Sequence, residues 1–337
     1  MKDRATAAVD DAVRLCELAD LATPFAIRAA CDLRLADLLV DGPRPVQELA
    51  AAAGTDCGAL RLLLRALAAA GVFAEVEPGR FGLTPLSELL TSRHPLSRRA
   101  AYTLLAAAFD AWACLDHSLR TGRPAFDHVF GRRYHDHLAE TPEDAERYAG
   151  TQQAGERLEA RALLGAYPWA ELDTVVDVGG GTGTFLAALL ARHRSLRGML
   201  VELPHLAARA ARELERAGVA DRSQVVAGDF LEDLPVGAGG YVLKRVLVEC
   251  EDDVAARLLE RVRRVLPAEG RLLVLDPLLE PGDGYRPSQT YDLVCLVLTG
   301  GRTRRREEIE RLLRAAGLRP TAFVPTRVFP IIEARPA

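Results

Sequence analysis

Between residues 10 and 40 apolar positions recur at helical spacing, as in PFAIRAACDLRLADLLV, and predict helices. PVQELAAAAG continues the pattern. TDCGALRLLLRALAAAG then puts Leu60, Leu63, Leu64 and Leu67 on one face, with Thr55 as the expected N-cap and Gly71 as the stop. VFAEVEPGRFGLT reads as a short hairpin turning at Pro78 and Gly79. Helix, helix, helix, hairpin over residues 1–100 is a winged-helix pattern. Residues 101–168 keep helical spacing, with breaks at 122–124 and at Pro142.

After Pro168 the texture changes. Strand signals at 174–178, 198–202, 224–227, 240–246 and 271–275 alternate with helical stretches, notably 204–217 and 252–266. This is the rhythm of an α/β, Rossmann-like, doubly wound parallel sheet over residues 169–337. Two more strands are expected at 319–325 and 328–333.

The bulk numbers narrow the possibilities. A chain of 337 residues is long enough for two cores. Its formal net charge of −4, from 43 basic and 47 acidic residues, argues against nucleic acid or an anionic membrane as partner. The N-terminal residues MKDRATAAVDDAV lack a signal-peptide core, and Ala100 to Phe109 is far too short to span a membrane. The six cysteines lie far apart with no C-x-x-C pair, which suits reduced thiols in a cytoplasmic protein. No His, Cys and Asp cluster has metal-ligand spacing, so no metal is expected.

VVDVGGGTGTFL carries the first chemistry: a buried strand broken by glycines. Gly179 and Gly181 would let the backbone approach a ligand. Glu202 ends the next strand, where a carboxylate can accept both hydroxyls of a ribose. The dinucleotide pattern G-x-G-x-x-G has Thr184 in place of its last glycine. Asp229 and Phe230 follow the third strand. An acid beside an aromatic ring suits adenine, since the acid accepts from the exocyclic amine and the ring packs on the base. Together these favour S-adenosylmethionine over NAD, with S-adenosylhomocysteine as product.

On VVDVGGGTG, LVELPH, AGDFLEDLP, YVLKRVLVECEDD, LLVLDPLLEPGDG and YDLVCLVLTGGRTRRREEIERLLRAAGL, nearly the whole chain resembles the two-domain class I O-methyltransferases of bacterial natural-product pathways. The resemblance implies methyl transfer to a hydroxyl of a small aromatic or polyketide-like compound. It also implies an N-terminal domain that forms a homodimer, middle helices that roof the substrate pocket, and a cofactor contact for Lys244. Trp112, Tyr148 and Gln152 fall where relatives contact substrate or cofactor.

The chain departs from that family at one decisive place. Relatives read VLHDWxDE where this chain reads VLVECEDD, so their general-base histidine falls on Val248. Enzymes acting on anthracyclines resemble this chain in lacking it; one relative is a hydroxylase that requires S-adenosylmethionine, and others are pericyclases. Glu249 is the nearest candidate base, or else a solvated acid at the start of the helix 252–266. His135 and His137 are two apart, so at most one faces inward. Asp276 and Glu280 follow a strand and either line the pocket or are loop acids. The run from Arg302 to Arg306 reads as a solvated loop and helix start. A DNA-binding regulator is disfavoured: the third helix offers only Arg61 and Arg65 beside an apolar face.

Overall fold

Leu60, Leu64 and Leu67 recur at one-turn spacing, and all three are fully buried. They pack against Leu35, Leu39, Leu49, Phe73 and Phe81 in a core of their own. The computed structural model describes residues 4–102, 106–279 and 287–337. Contacts divide the chain into two compact units, Met1–Leu104 and Leu105–Ala337.

The first unit has helices α1 (Arg4–Leu18), α2 (Ala22–Asp32), α3 (Val46–Ala53), α4 (Cys57–Ala69), α5 (Pro85–Glu88) and α6 (Arg99–Tyr102). Strands β1 (Arg44–Pro45), β2 (Phe73–Glu77) and β3 (Arg80–Leu83) form an antiparallel sheet in the order β1-β3-β2. Thr55 is not the N-cap of α4. Asp56 is, its Oδ1 accepting the Ala59 N–H at 2.8 Å. A carboxylate reaches that orphan donor and is also favoured by the helix dipole.

The second unit opens with α7 (Ala106–Ala113), α8 (Leu115–Thr121), α9 (Ala125–Phe130), α10 (Tyr134–Glu140) and α11 (Pro142–Leu163). Gly122 caps α8 in the left-handed conformation, and Pro142 stands in the first turn of α11, where its missing N–H costs nothing. The α/β part follows as β4 (Thr174–Val178), α12 (Thr184–Arg192), β5 (Arg197–Glu202), α13 (Pro204–Arg216), β6 (Ser223–Ala227), β7 (Gly240–Lys244), α14 (Asp252–Val265) and β8 (Arg271–Leu275). It closes with α15 (Pro287–Leu298), α16 (Arg306–Ala315), β9 (Leu318–Val324) and β10 (Ile331–Pro336).

One seven-stranded sheet runs β6-β5-β4-β7-β8-β10-β9. Its first five strands are parallel, but β10 pairs antiparallel with both β8 and β9, so the sheet is mixed rather than wholly parallel. The expected strand 328–333 begins three residues later, because Thr326 turns the chain by accepting the Val328 N–H. The expected strand 240–246 stops at Lys244: Arg245 has φ +59, a left-handed conformation that ends the ladder.

Successive strand residues face opposite sides, and both sides are covered. Val176, Val178, Tyr241 and Leu243 pack with Leu258 and Val262 of α14 and Leu313 of α16. Val175, Val242 and Leu273 pack with Phe185 and Leu189 of α12 and Leu214 of α13 on the other. Among the described residues no helix is long and apolar enough to cross a membrane.

Candidate active site

Register sets the site. Val178 of β4 pairs with Val201 of β5 and Leu243 of β7. The next residues, Gly179, Glu202 and Lys244, therefore stand at one level at the carboxyl edge of the sheet. Glu202 pairs with Ala227, which puts Asp229 and Phe230 just past the end of β6. Strand order reverses between β4 and β7, the place where such sheets open a crevice. A cavity of about 420 Å³ opens there. Gly179, Gly181, Glu202, Asp229, Phe230 and Lys244 all line it, as do Tyr148, Gln152 and Glu156 of α11, His135 of α10, and Arg245 and Glu249 of the turn after β7.

The glycine side is shaped by what is missing. Gly179 has φ +67, and a Cβ there would stand 3.0 Å from Val246 Cγ2 and 3.5 Å from the Phe230 ring. Glu202 Oε2 accepts the Gly181 N–H at 2.8 Å, and Oε1 accepts the Leu203 N–H at 2.7 Å. Burial pushes this carboxyl above its ordinary value, against the pull of those two donors.

The roof side is a chain of buried charges. Thr182 donates its hydroxyl to Glu156 at 2.7 Å. Lys244 Nζ lies 3.5 Å from Glu156 and 3.1 Å from Glu159, and Arg245 reaches Glu159 at 3.2 Å. Arg245 also donates to the Tyr291 hydroxyl at 2.7 Å, and Tyr291 donates to Glu249 at 3.1 Å. The chain ends at His135, whose Nε2 is 3.3 Å from Glu249 Oε2. Burial alone would raise the carboxyl of Glu159, but Lys244 and Arg245 hold it below the usual range. Glu249 behaves alike, with His135 and Arg245 overcoming its burial.

Comparison with known proteins decides what such a site belongs to. Residues 112–319 match the O-methyltransferase domain, and residues 16–93 match the O-methyltransferase dimerisation domain. The chain belongs to the S-adenosylmethionine-dependent O-methyltransferase family. It is similar to the phenazine O-methyltransferase PhzM of Lysobacter antibioticus, with 38% identity and 91% of each chain covered. It is also similar to the aclacinomycin 10-hydroxylase RdmB of Streptomyces purpurascens, 39% identical over 91% of this chain and 84% of that one. The crystal structure of the O-methyltransferase NcsB1 from neocarzinostatin biosynthesis, in complex with S-adenosylmethionine and 2-hydroxy-5-methyl naphthoic acid, matches at TM-score 0.83 and 35% identity over 96% of this chain and 98% of that one.

Within this O-methyltransferase several expected site residues stand elsewhere. Val248 is buried and does not line the cavity; its N–H donates to Asp276 Oδ2 at 3.1 Å. Asp276 is buried behind that turn, off the cavity wall, and burial pushes its carboxyl up to about 7. Trp112 packs half-buried on the cluster of Phe126 and Tyr134 and is no part of the wall. Glu280 lies outside the described residues. Glu249 is no solvated helix-start acid but a cavity residue held by two partners. His137 turns away from the cavity and pairs with Asp144 at 2.8 Å, while His135 faces in.

The arginine run is not simply solvated either. Arg304 is 1% exposed and donates to the carbonyls of Leu247 and Cys250 and to Asp252, clamping the turn that carries Glu249. Sequence reading missed Arg304, Glu156, Glu159 and Tyr291. Three of them lie on helices whose inward face only the fold defines. For Arg304, the one available signal was its place in a basic run directly before a capped helix.

Proposed function

We propose that this chain transfers a methyl group from S-adenosylmethionine to an ionisable hydroxyl of a small aromatic or polyketide-derived compound. The single supporting observation is that one cavity joins the glycine turn and two strand-end acids, Glu202 and Asp229, to a roof of helices. The residues suit the cofactor. Each Glu202 oxygen is met by one backbone N–H, which leaves lone pairs for the two ribose hydroxyls. Asp229 Oδ1 accepts the Leu231 N–H at 2.8 Å, leaving Oδ2 for the adenine amine, and Phe230 offers a ring face. Gly179 and Gly181 keep side chains out of the donor's path, and Lys244 anchors the floor. When bound, the cofactor supplies an electrophilic methyl group on a sulfonium.

The chain's own residues then hold the acceptor. Tyr148 and Gln152, joined by a 2.6 Å hydrogen bond, and Glu249 face the space left over. Positioning alone contributes roughly 7–11 kcal/mol, more than the ~10²–10⁴-fold of general-base help. Substrates of PhzM and NcsB1 are aromatic by their names, which supports an aromatic acceptor here. RdmB supports a second reading, in which the cofactor is bound and its methyl kept. Incubation with labelled S-adenosylmethionine and hydroxylated naphthoates, phenazines and anthraquinones separates the two. Methylated product with equimolar S-adenosylhomocysteine is the expected result. Product formed while S-adenosylmethionine is recovered intact would replace the first reading by the second.

The first unit we read as a winged helix adapted to pairing two copies. Val9, Val13, Leu15, Leu18 and Leu21 of α1 and the loop after it are exposed, more apolar surface than a lone small unit favours leaving in water. Light scattering should give twice 36.5 kDa at micromolar concentration. A mass of one chain would refute the homodimer.

A further inference from the structure

We propose that His135 of α10 is the general base of methyl transfer in this chain, and that Glu249 is its positioning residue. The inference rests on the O-methyltransferase reading and gives it the proton acceptor that Val248 cannot be. Position 248 is closed to the cavity, and its backbone serves only to tie the turn to Asp276. Histidine has instead come from the opposite wall. His135 and Glu249 are 114 positions apart in sequence, yet Nε2 and Oε2 approach to 3.3 Å with both side chains on the cavity wall.

The pair has the form a base requires. Glu249 is fixed by the Tyr291 hydroxyl at 3.1 Å, and Tyr291 by Arg245 at 2.7 Å. An ionised Glu249 takes the hydrogen on Nε2, and that tautomer leaves Nδ1 with a lone pair. His137 makes the contrast. It has the same residue type on the same helix and a carboxylate at 2.8 Å, but it is buried away from the cavity and has no acceptor to serve. The groups that face His135 are Glu249 after β7, Glu202 at the end of β5, Asp136 on its own helix, Tyr134 and Tyr148 around its ring, and His205 of α13. Burial alone would weaken the imidazole as a base; Glu249, Glu202 and Asp136 together make it a stronger one than ordinary histidine.

The step balances simply. The acceptor hydroxyl gives its proton to His135 Nδ1 as its oxygen bonds to the methyl carbon. The carbon–sulfur bond breaks with its electron pair left on sulfur, giving the thioether of S-adenosylhomocysteine. The imidazolium, compensated by Glu249, passes the proton to solvent.

The test uses the full chain with S-adenosylmethionine and, as acceptors, 1,4-dihydroxy-2-naphthoic acid, 1-hydroxyphenazine and a dihydroxyanthraquinone. His135→Gln should lose ~10²–10⁴-fold in kcat, keep its affinity for S-adenosylmethionine within threefold, and lose the acid limb of the pH profile. Added imidazole should restore part of the rate in His135→Ala. Glu249→Gln should keep the limb but move it to lower pH. NMR of histidine-labelled protein gives a readout without turnover: the His135 ring should titrate above an ordinary histidine and move down in Glu249→Gln. Methylation by His135→Gln at an unchanged rate and profile, or a ring titration that ignores Glu249, overturns the inference and leaves the methyltransferase reading standing. No methylated product from any acceptor with the parent chain overturns that reading, and the inference with it.

Discussion

The two walls of the cavity are built on different plans. On the strand side, each ligand-facing group lies at the carboxyl end of a parallel strand or within three residues past it, and strand register alone brings Gly179, Glu202, Asp229 and Phe230 together. On the roof side, each group is held by a partner far away in sequence: Glu156 and Glu159 by Lys244, Tyr291 by Arg245, His135 by Glu249. The first plan makes geometry a by-product of the backbone. The second makes it a property of ion pairs, which single substitutions can rearrange without moving the sheet. A site of this kind can hold its cofactor fixed while its acceptor chemistry varies.

If that contrast is right, breaking a roof pair should cost more stability than removing a strand-end ligand group. Lys244 is buried between Glu156 and Glu159, which outweigh burial and keep it charged. Lys244→Met leaves Glu156 with only the Thr182 hydroxyl, and removal of one partner of a buried pair costs about 3–5 kcal/mol. Urea unfolding without cofactor should show that loss, and adding Glu156→Gln should recover a good part of it. A loss below ~1 kcal/mol would mean the roof does not depend on its ion pairs.

Glu202→Ala probes the other wall. It removes an acceptor of two backbone N–H groups and, on the reading above, of two ribose hydroxyls. Calorimetry should find S-adenosylmethionine binding weaker by about 1–3 kcal/mol. Unchanged affinity would remove the ribose assignment and leave the strand side without its main ligand contact.

Legibility in the sequence follows the same division. The five parallel strands and the glycine turn were readable because β-runs and glycines act over a few residues, and the cofactor reading came with them. Readings failed where a distant partner decides. Arg304 looks like part of a solvated basic run, and only the fold shows that it clamps Leu247 and Cys250. Helical spacing permits at most one of His135 and His137 to face inward but cannot choose, because the choice depends on Asp144 and Glu249. Val248 stands at the family's histidine position in sequence, yet its side chain is packed behind the turn rather than in the cavity. Thr55 lost the capping role to its neighbour Asp56, a one-residue contest that N-cap preference does not resolve.

A pH-dependent effect ties the two walls together. Asp177 lies in β4 beneath the glycine turn, fully buried, and neither carboxylate oxygen has a hydrogen-bond partner. Burial pushes it up to about 7, with Lys244 opposing that shift. An unfolded aspartate titrates near ~3.9, so the native state binds the extra proton between the two values. Stability from this group is therefore full at low pH and is lost as pH rises toward 7. Between pH 5.5 and 8.5 the parent chain should lose about 2 kcal/mol from it, since ~1.36 kcal/mol accompanies each pH step up to the folded value. Asp177→Asn carries no such titration. Its stability relative to the parent should rise by that amount over the interval, measured by urea unfolding at both pH values. In a Lys244→Met background the crossover should move to higher pH, because the cation that favours the ionised form is gone. A difference that stays flat with pH would show that Asp177 is ionised throughout, and that the strand side, like the roof, is held by charge.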